Sequence, residues 1–175
     1  GNLIEKVTNA DGEKVTQAVT FPRVTQNNKN EVENAYFKVK IPDDWTYDEN
    51  INTFRIQHNG ECKNSDGGVC EISAESASHG DVDVLYNNRL GTENVLKEYQ
   101  PDFVGEIKQY ETKLFDLDVK AFSSKHTSGS TYYFFVFSYA NAAVGITANV
   151  NDKCLANGFD IEKFITENFT LKKLG

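Results

Sequence analysis

Thr131-Tyr132-Tyr133-Phe134-Phe135-Val136-Phe137 is the stretch that decides the fold, because its apolar residues do not alternate with polar ones. Successive side chains of a strand point to opposite faces, so a strand with one wet face alternates. A run apolar at consecutive positions predicts a strand covered on both sides. Its neighbours, Glu106 to Leu114, Leu117 to Ser124 and Ala142 to Val150, read as further strands, and their turns are short or contain Gly and Ser. An antiparallel meander is the economical reading. Helices or loops must then pack over each face of that sheet.

Downstream, Asp160 stands where an N-cap should, with Phe159 before it and Phe164 after it. That spacing is a hydrophobic staple. Ile161, Phe164, Ile165 and Asn168 follow helical spacing, so an amphipathic helix over 161–168 lays its apolar stripe on the sheet, and Phe169-Thr170-Leu171 reads as a last short strand. Upstream, Thr92 to Tyr99 predicts a helix capped by Thr92, with Val95, Leu96, Tyr99 and Phe103 on one face and Pro101 ending it. Gly80 to Gly91 carries no clear period.

Further toward the N-terminus, Tyr36-Phe37-Lys38-Val39-Lys40-Ile41 alternates and ends at Pro42, which cannot donate to a sheet ladder. Asp43 to Asn50 reads as an acidic turn anchored by Trp45, and Thr25 to Asn34 as a polar loop. Asp11-Gly12 lies between two alternating runs, Leu3 to Thr8 and Lys14 to Val19, which is a hairpin signal. Strands, helix, meander, helix, strand is an α+β order with an antiparallel β-sheet covered by helices on both faces.

The chain has 175 residues, enough for one domain that buries a core without staples. Its 12 Phe and 8 Tyr, with 39% hydrophobic and 25% charged residues, exclude a disordered chain. A formal charge of −8 argues against nucleic-acid binding, which needs clustered Lys and Arg. No apolar run approaches the ~20 residues of a spanning helix. The chain opens Gly-Asn-Leu and contains no Met, which reads most simply as a mature segment whose leader has been removed, although an intracellular domain excised from a longer protein would read the same way.

Cys62 and Cys70 enclose Asn64-Ser65-Asp66-Gly67-Gly68, a strong turn, between alternating flanks Phe54 to Gln57 and Glu71 to Ala74. A hairpin there would face the two thiols across its mouth, so the spacing predicts a Cys62–Cys70 disulfide with Cys154 left free. Three Cys and three scattered His show no paired zinc spacing.

Candidate chemistry is sparse. His79, Asp81 and Asp83 would share one side of a strand if His79 to Asp83 were extended, at a spacing a cation could use. They lack the ligand pattern of a calcium loop. His58 reads as a turn residue and His126 as the tip of a hairpin. Asp116 and Asp118 could flank a substrate as acid and base, but on an alternating strand they read first as its wet face. No nucleophile elbow, phosphate loop or dinucleotide fingerprint is present. Asn168-Phe169-Thr170 matches a glycosylation acceptor, discounted because Phe169 enters a buried strand.

Tyr36-Phe37-Lys38-Val39-Lys40-Ile41-Pro42-Asp43-Asp44-Trp45 resembles the aromatic-x-hydrophobic-x-hydrophobic-Pro-x-x-Trp opening of the PsbP-like and Mog-type families. The likeness extends in outline through the mid-chain helix, the meander and the C-terminal helix and strand, over residues 31–173. It implies a PsbP-like α-β-α sandwich as the core of a single domain over 1–175, with residues 1–30 forming an N-terminal hairpin and loop. Pro42 and Trp45 carry over as a structural corner. Many bacterial members look like exported lipoproteins of unassigned function, plant members assist the oxygen-evolving complex and fungal relatives bind a small GTPase. The cysteine hairpin and the acidic surface depart from that pattern, so no partner-binding residue transfers. The resemblance and the missing catalytic set together imply a non-enzymatic extracytoplasmic binding or accessory domain, lipid-anchored upstream of residue 2. It would bind a partner protein or small ligand and need no cofactor. The competing expectation is a hydrolase-type enzyme whose site is assembled from dispersed Asp and His residues.

Overall fold

The computed structural model describes residues 2–8, 14–20, 24–43, 45–50, 53–58, 71–77 and 81–173. Its strands are β1 (Asn2–Thr8), β2 (Lys14–Thr20), β3 (Thr25–Asn28), β4 (Glu31–Glu33), β5 (Phe37–Lys40), β6 (Trp45–Asn50), β7 (Thr53–His58) and β8 (Glu71–Ala77). The helix α1 (Val82–Tyr99) follows, then β9 (Val104–Leu114), β10 (Leu117–His126), β11 (Ser130–Tyr139) and β12 (Ala142–Asn151). Two helices, α2 (Asp152–Ala156) and α3 (Ile161–Asn168), and the strand β13 (Phe169–Leu171) complete the α+β order.

The meander is the spine of a nine-stranded antiparallel sheet running β1-β2-β8-β12-β11-β10-β9, with β7 also on β8 and β6 on β7. Two of its turns are two-residue loops in which both residues take positive φ, Phe115 (56°) and Asp116 (60°), then Ala140 (51°) and Asn141 (63°). That backbone matches the twist of paired strands, and it is built here without glycine. Phe115 holds it through its ring, which packs 5.7 Å from Phe37 and 5.9 Å from Phe137.

On β11 the consecutive apolar residues divide between two cores. Phe134 and Val136 join Phe122, Ala143 and the α1 residues Leu85, Tyr86 and Leu90. Phe135 and Phe137 turn the other way, toward Ile161 and Ile165 of α3 and toward a second, four-stranded sheet ordered β13-β5-β4-β3. Phe37 and Val39 are the buried faces of β5 and sit opposite Leu171 and Phe169 of β13. The last strand of the chain thereby closes the small sheet over the large one.

Four local expectations are corrected. The polar loop over 25–34 is the hairpin β3–β4, whose only fully buried side chain, Val32, leaves no periodic signal. The acidic turn over 43–50 holds strand β6, paired residue by residue with β7 from Trp45↔His58 to Asn50↔Thr53, so His58 ends a strand and is not a turn residue. The helix does not begin at Thr92. It begins at Val82, capped by Asp81, whose carboxylate accepts from Val84 N at 3.0 Å, and Thr92 lies mid-helix with its hydroxyl donating to Asn88 O. Its inward face is Leu85, Tyr86, Leu90 and Glu93, while Val95 and Tyr99 point outward. Val82, Leu85, Tyr86 and Leu90 do follow helical spacing in its first half, so Gly80 to Gly91 carries a period after all, with Arg89 the polar residue on its line.

The cysteine reading is also corrected. Cys62 and Cys70 lie outside the described residues, so no disulfide joins two described cysteines. Cys154 is not a free thiol: it sits on α2, 1% exposed in the core, and is itself disulfide-bonded. The reason lies in α2, five residues long and capped by Asn151, which turns Cys154 inward right after β12.

Candidate functional site

The C-terminal half of α1 meets the end of β10 in the most concentrated polar chemistry among the described residues. Glu93, on the buried side of the helix, is 7% exposed. Its Oε2 accepts from the Ser124 hydroxyl at 2.8 Å and lies 3.1 Å from His126 Nε2. An ionised carboxylate only accepts, so the ring nitrogen on it carries the hydrogen. The imidazole is itself held between rings, 4.8 Å from Phe103 and parallel to Tyr132 at 6.4 Å. Strand alternation places Ser124 and His126 on the same face of β10, and helical spacing places Glu93 above them.

Carboxylate, hydroxyl and imidazole are the parts of a hydrolytic triad, but the order differs. Nucleophilic catalysis needs the imidazole between the hydroxyl it activates and the acid that orients it. Here the carboxylate stands between serine and histidine, and Ser124 is 0% exposed. The cluster is arranged as a clasp tying α1 to the sheet, satisfying a carboxylate that would be costly to bury alone.

Beside the clasp opens a shallow cleft of about 450 Å³ lined by Tyr99, Gln100, Pro101, Asp102, Phe103 and Thr127. Its walls are braced by backbone: Gln100 O accepts from Phe103 N at 2.9 Å and Val104 N at 3.2 Å, and Thr127 N donates to Phe103 O at 2.9 Å. The Thr127 hydroxyl donates to Asp102 O. Tyr99 is 76% exposed at the rim.

The residues singled out from sequence lie elsewhere. Asp81 caps α1, and Asp83, in its first turn, is 2.9 Å from Lys120 Nζ, which also lies over the Tyr86 ring at 4.7 Å. Helix α1 begins at Val82, between Asp81 and Asp83, so the two do not share one side of an extended strand; His79 is outside the described residues. Among the described residues no group of three or more His, Cys, Asp or Glu is placed to hold a metal ion. Asp116 occupies a tight turn, and the exposed Asp118 lies 3.6 Å from Lys113. Asn168 donates its side-chain amide to Phe164 O at 2.9 Å.

Pro42 O accepts from Trp45 N at 2.9 Å, turning the chain from β5 into β6. Trp45 then stacks on Phe164 at 4.3 Å and lies 6.2 Å from Phe159, with 5.7 Å between those two rings. Asp160, the N-cap of α3, accepts from Glu162 N at 3.1 Å and Lys163 N at 3.2 Å. Corner and staple are one aromatic cluster.

Three tyrosines are held in their neutral form. Burial pushes the Tyr86 hydroxyl up to about 12, and that hydroxyl donates toward Gln109 Oε1 and Ala121 O. Tyr110 is raised by burial and then by the nearby Glu162, Tyr133 and Tyr86. Tyr133 is raised by burial and then by the carboxylates of Asp152, Asp160 and Glu162.

The clasp was not found from sequence. Glu93 sits 31 positions from Ser124, and the expected strand stopped at Ser124 with His126 at a hairpin tip, whereas β10 runs on to His126 and carries both residues. No protein-family model matches this chain, and no curated protein matches it. Among the described residues no helix is long and apolar enough to cross a membrane.

Proposed function

We propose that this chain is a non-enzymatic binding or accessory domain of the PsbP-like kind, and that it docks a partner protein at the C-terminal end of α1. The observation that carries the reading is the rim of the cleft: Tyr99 is 76% exposed and Val95 42% exposed one turn earlier, on a helix whose opposite face is packed. Large exposed side chains beside a concave surface are what partner recognition uses, tyrosine above all. The sealed Ser124 and the central carboxylate of the clasp speak for binding over hydrolysis.

The family reading draws support from the order of elements, an antiparallel meander with α1 on one face and α3 followed by a closing strand on the other. The resemblance of Tyr36 to Trp45 carries the compartment: the domain works outside the cytoplasm, tethered by a lipid anchor in the manner of exported bacterial members.

The test is site-specific photo-crosslinking in an extract of the source cells, with a benzophenone side chain at Tyr99 and, as control, at the exposed Glu167 on α3. A discrete adduct at Tyr99, absent at Glu167 and lost on adding excess unlabelled protein, supports the reading. Equal labelling at both positions, or none at Tyr99, overturns it.

A further inference from the structure

We propose that the cleft at the end of α1 is a socket for the guanidinium group of an arginine presented by the partner; this rests on the docking reading above. Every feature of the cleft favours a cation with a flat apolar face. Tyr99 and Phe103 line it, and aromatic faces attract guanidinium groups by cation–π contact and stacking. Asp102 adds a carboxylate, which accepts the paired N–H groups of a guanidinium, and no basic side chain lines the cleft. The site also sits at the C-terminal end of an 18-residue helix, the end whose carbonyl dipoles favour positive charge.

The surroundings act in the same direction. The chain carries a formal charge of −8, so a basic segment is drawn toward it. Gln100 adds a side-chain amide oxygen and Thr127 a hydroxyl, both able to accept from the donors that Asp102 leaves over. Lysine fits less well, since a compact ammonium uses neither the planar stack nor the paired acceptors. The braced backbone of residues 100–104 keeps these groups in place before any partner arrives, which lowers the ordering cost of binding.

The experiment titrates the 15N-labelled protein with N-acetyl-L-arginine amide and, separately, with the uncharged isostere N-acetyl-L-citrulline amide, following backbone amide shifts. The arginine amide should shift Tyr99, Gln100, Asp102, Phe103 and Thr127 saturably, with a Kd on the order of millimolar. Citrulline amide should bind about tenfold more weakly, as should arginine amide to Asp102→Asn. Tyr99→Ala should weaken it several-fold, and both side chains are exposed enough for the variants to keep the parent unfolding midpoint. Equal binding of citrulline, shifts centred elsewhere, or full affinity in both variants overturns the proposal. A crosslink at Tyr99 with no arginine binding refutes the guanidinium chemistry and leaves the docking reading standing. Arginine binding with no crosslink does the reverse.

Discussion

Replacing Ser124 by alanine tests the clasp with little change of volume. Ser124 is 0% exposed, so no water replaces the lost hydroxyl, and the Glu93 carboxylate keeps only His126 at 3.1 Å. A hydrogen bond to a charged group contributes about 1.5–3 kcal/mol, against about 0.5–1.5 kcal/mol for a neutral one. Ser124→Ala should therefore cost about 2 kcal/mol, which in a chain of 175 residues lowers Tm by about 4–8 °C. Urea unfolding reports it through the single tryptophan, Trp45, which is 7% exposed and belongs to the other core cluster, so its emission follows global unfolding. Glu93→Gln keeps the shape and removes the charge. In that background the cost of Ser124→Ala should fall to about 1 kcal/mol, a coupling a double-mutant cycle resolves. A loss below ~0.5 kcal/mol in the parent, or an equal loss in both backgrounds, would refute the charge-assisted clasp.

Phe135 and Phe137 lie 0% and 1% exposed between the sheet and α3, so alanine at either should cost about 3–5 kcal/mol by thermal or urea melts; below ~1 kcal/mol at both contradicts the two-sided burial. Asp160→Ala removes the acceptor for two first-turn amides of α3 and should cost about 1 kcal/mol, while Asp160→Asn should keep most of the cap. Because the folded protein holds Tyr86 neutral up to about 12, its contribution to stability is complete below pH 10 and is lost as pH rises from 10 through about 12. Absorbance at 295 nm should show a late-titrating fraction of tyrosine that shrinks in Tyr86→Phe; an unchanged late fraction counts against it.

What could be read from the chain is what declares itself locally. The meander from Val104 to Asn151 shows as dense apolar strands with short connections, and the run from Thr131 to Phe137 announces its two-sided burial because it abandons alternation. The staple at Phe159, Asp160 and Phe164 is equally local. Of the small sheet, β5 and β13 could be read as strands, from the alternation of Tyr36 to Ile41 and from Phe169-Thr170-Leu171, but β3 and β4, and the pairing that makes one sheet of the four, could not. Its strands β3, β4 and β13 hold three or four residues each, and β5 finds its edge partner in β13 at the far end of the chain. Helix α1 was half legible: Tyr99 and Pro101 marked its end, but the face that reads as apolar, with Val95 and Tyr99, is the one turned to solvent. The inward face carries Glu93, a residue whose burial depends on Ser124 and His126, and no local pattern records a pairing across 31 positions.

Clasp and cleft share their parts. The His126 ring that reaches Glu93 also packs, tilted, 4.8 Å from the Phe103 ring, and the next residue, Thr127, bonds the backbone of Phe103 and Asp102. Loosening the clasp therefore displaces the floor of the cleft, whereas Asp102 contributes to the cleft alone. This separation predicts two different signatures. Ser124→Ala should lower stability and also weaken binding of N-acetyl-L-arginine amide several-fold, with the shift perturbations spreading to Leu96 and Lys97 as the last turn of α1 loses its anchor. Asp102→Asn should weaken the same ligand about tenfold at unchanged stability. If Ser124→Ala lost stability but bound arginine amide with parental affinity, the cleft would be held by its backbone bonds at Gln100 and Thr127 alone, and the contact of His126 with Phe103 would play no part in shaping it.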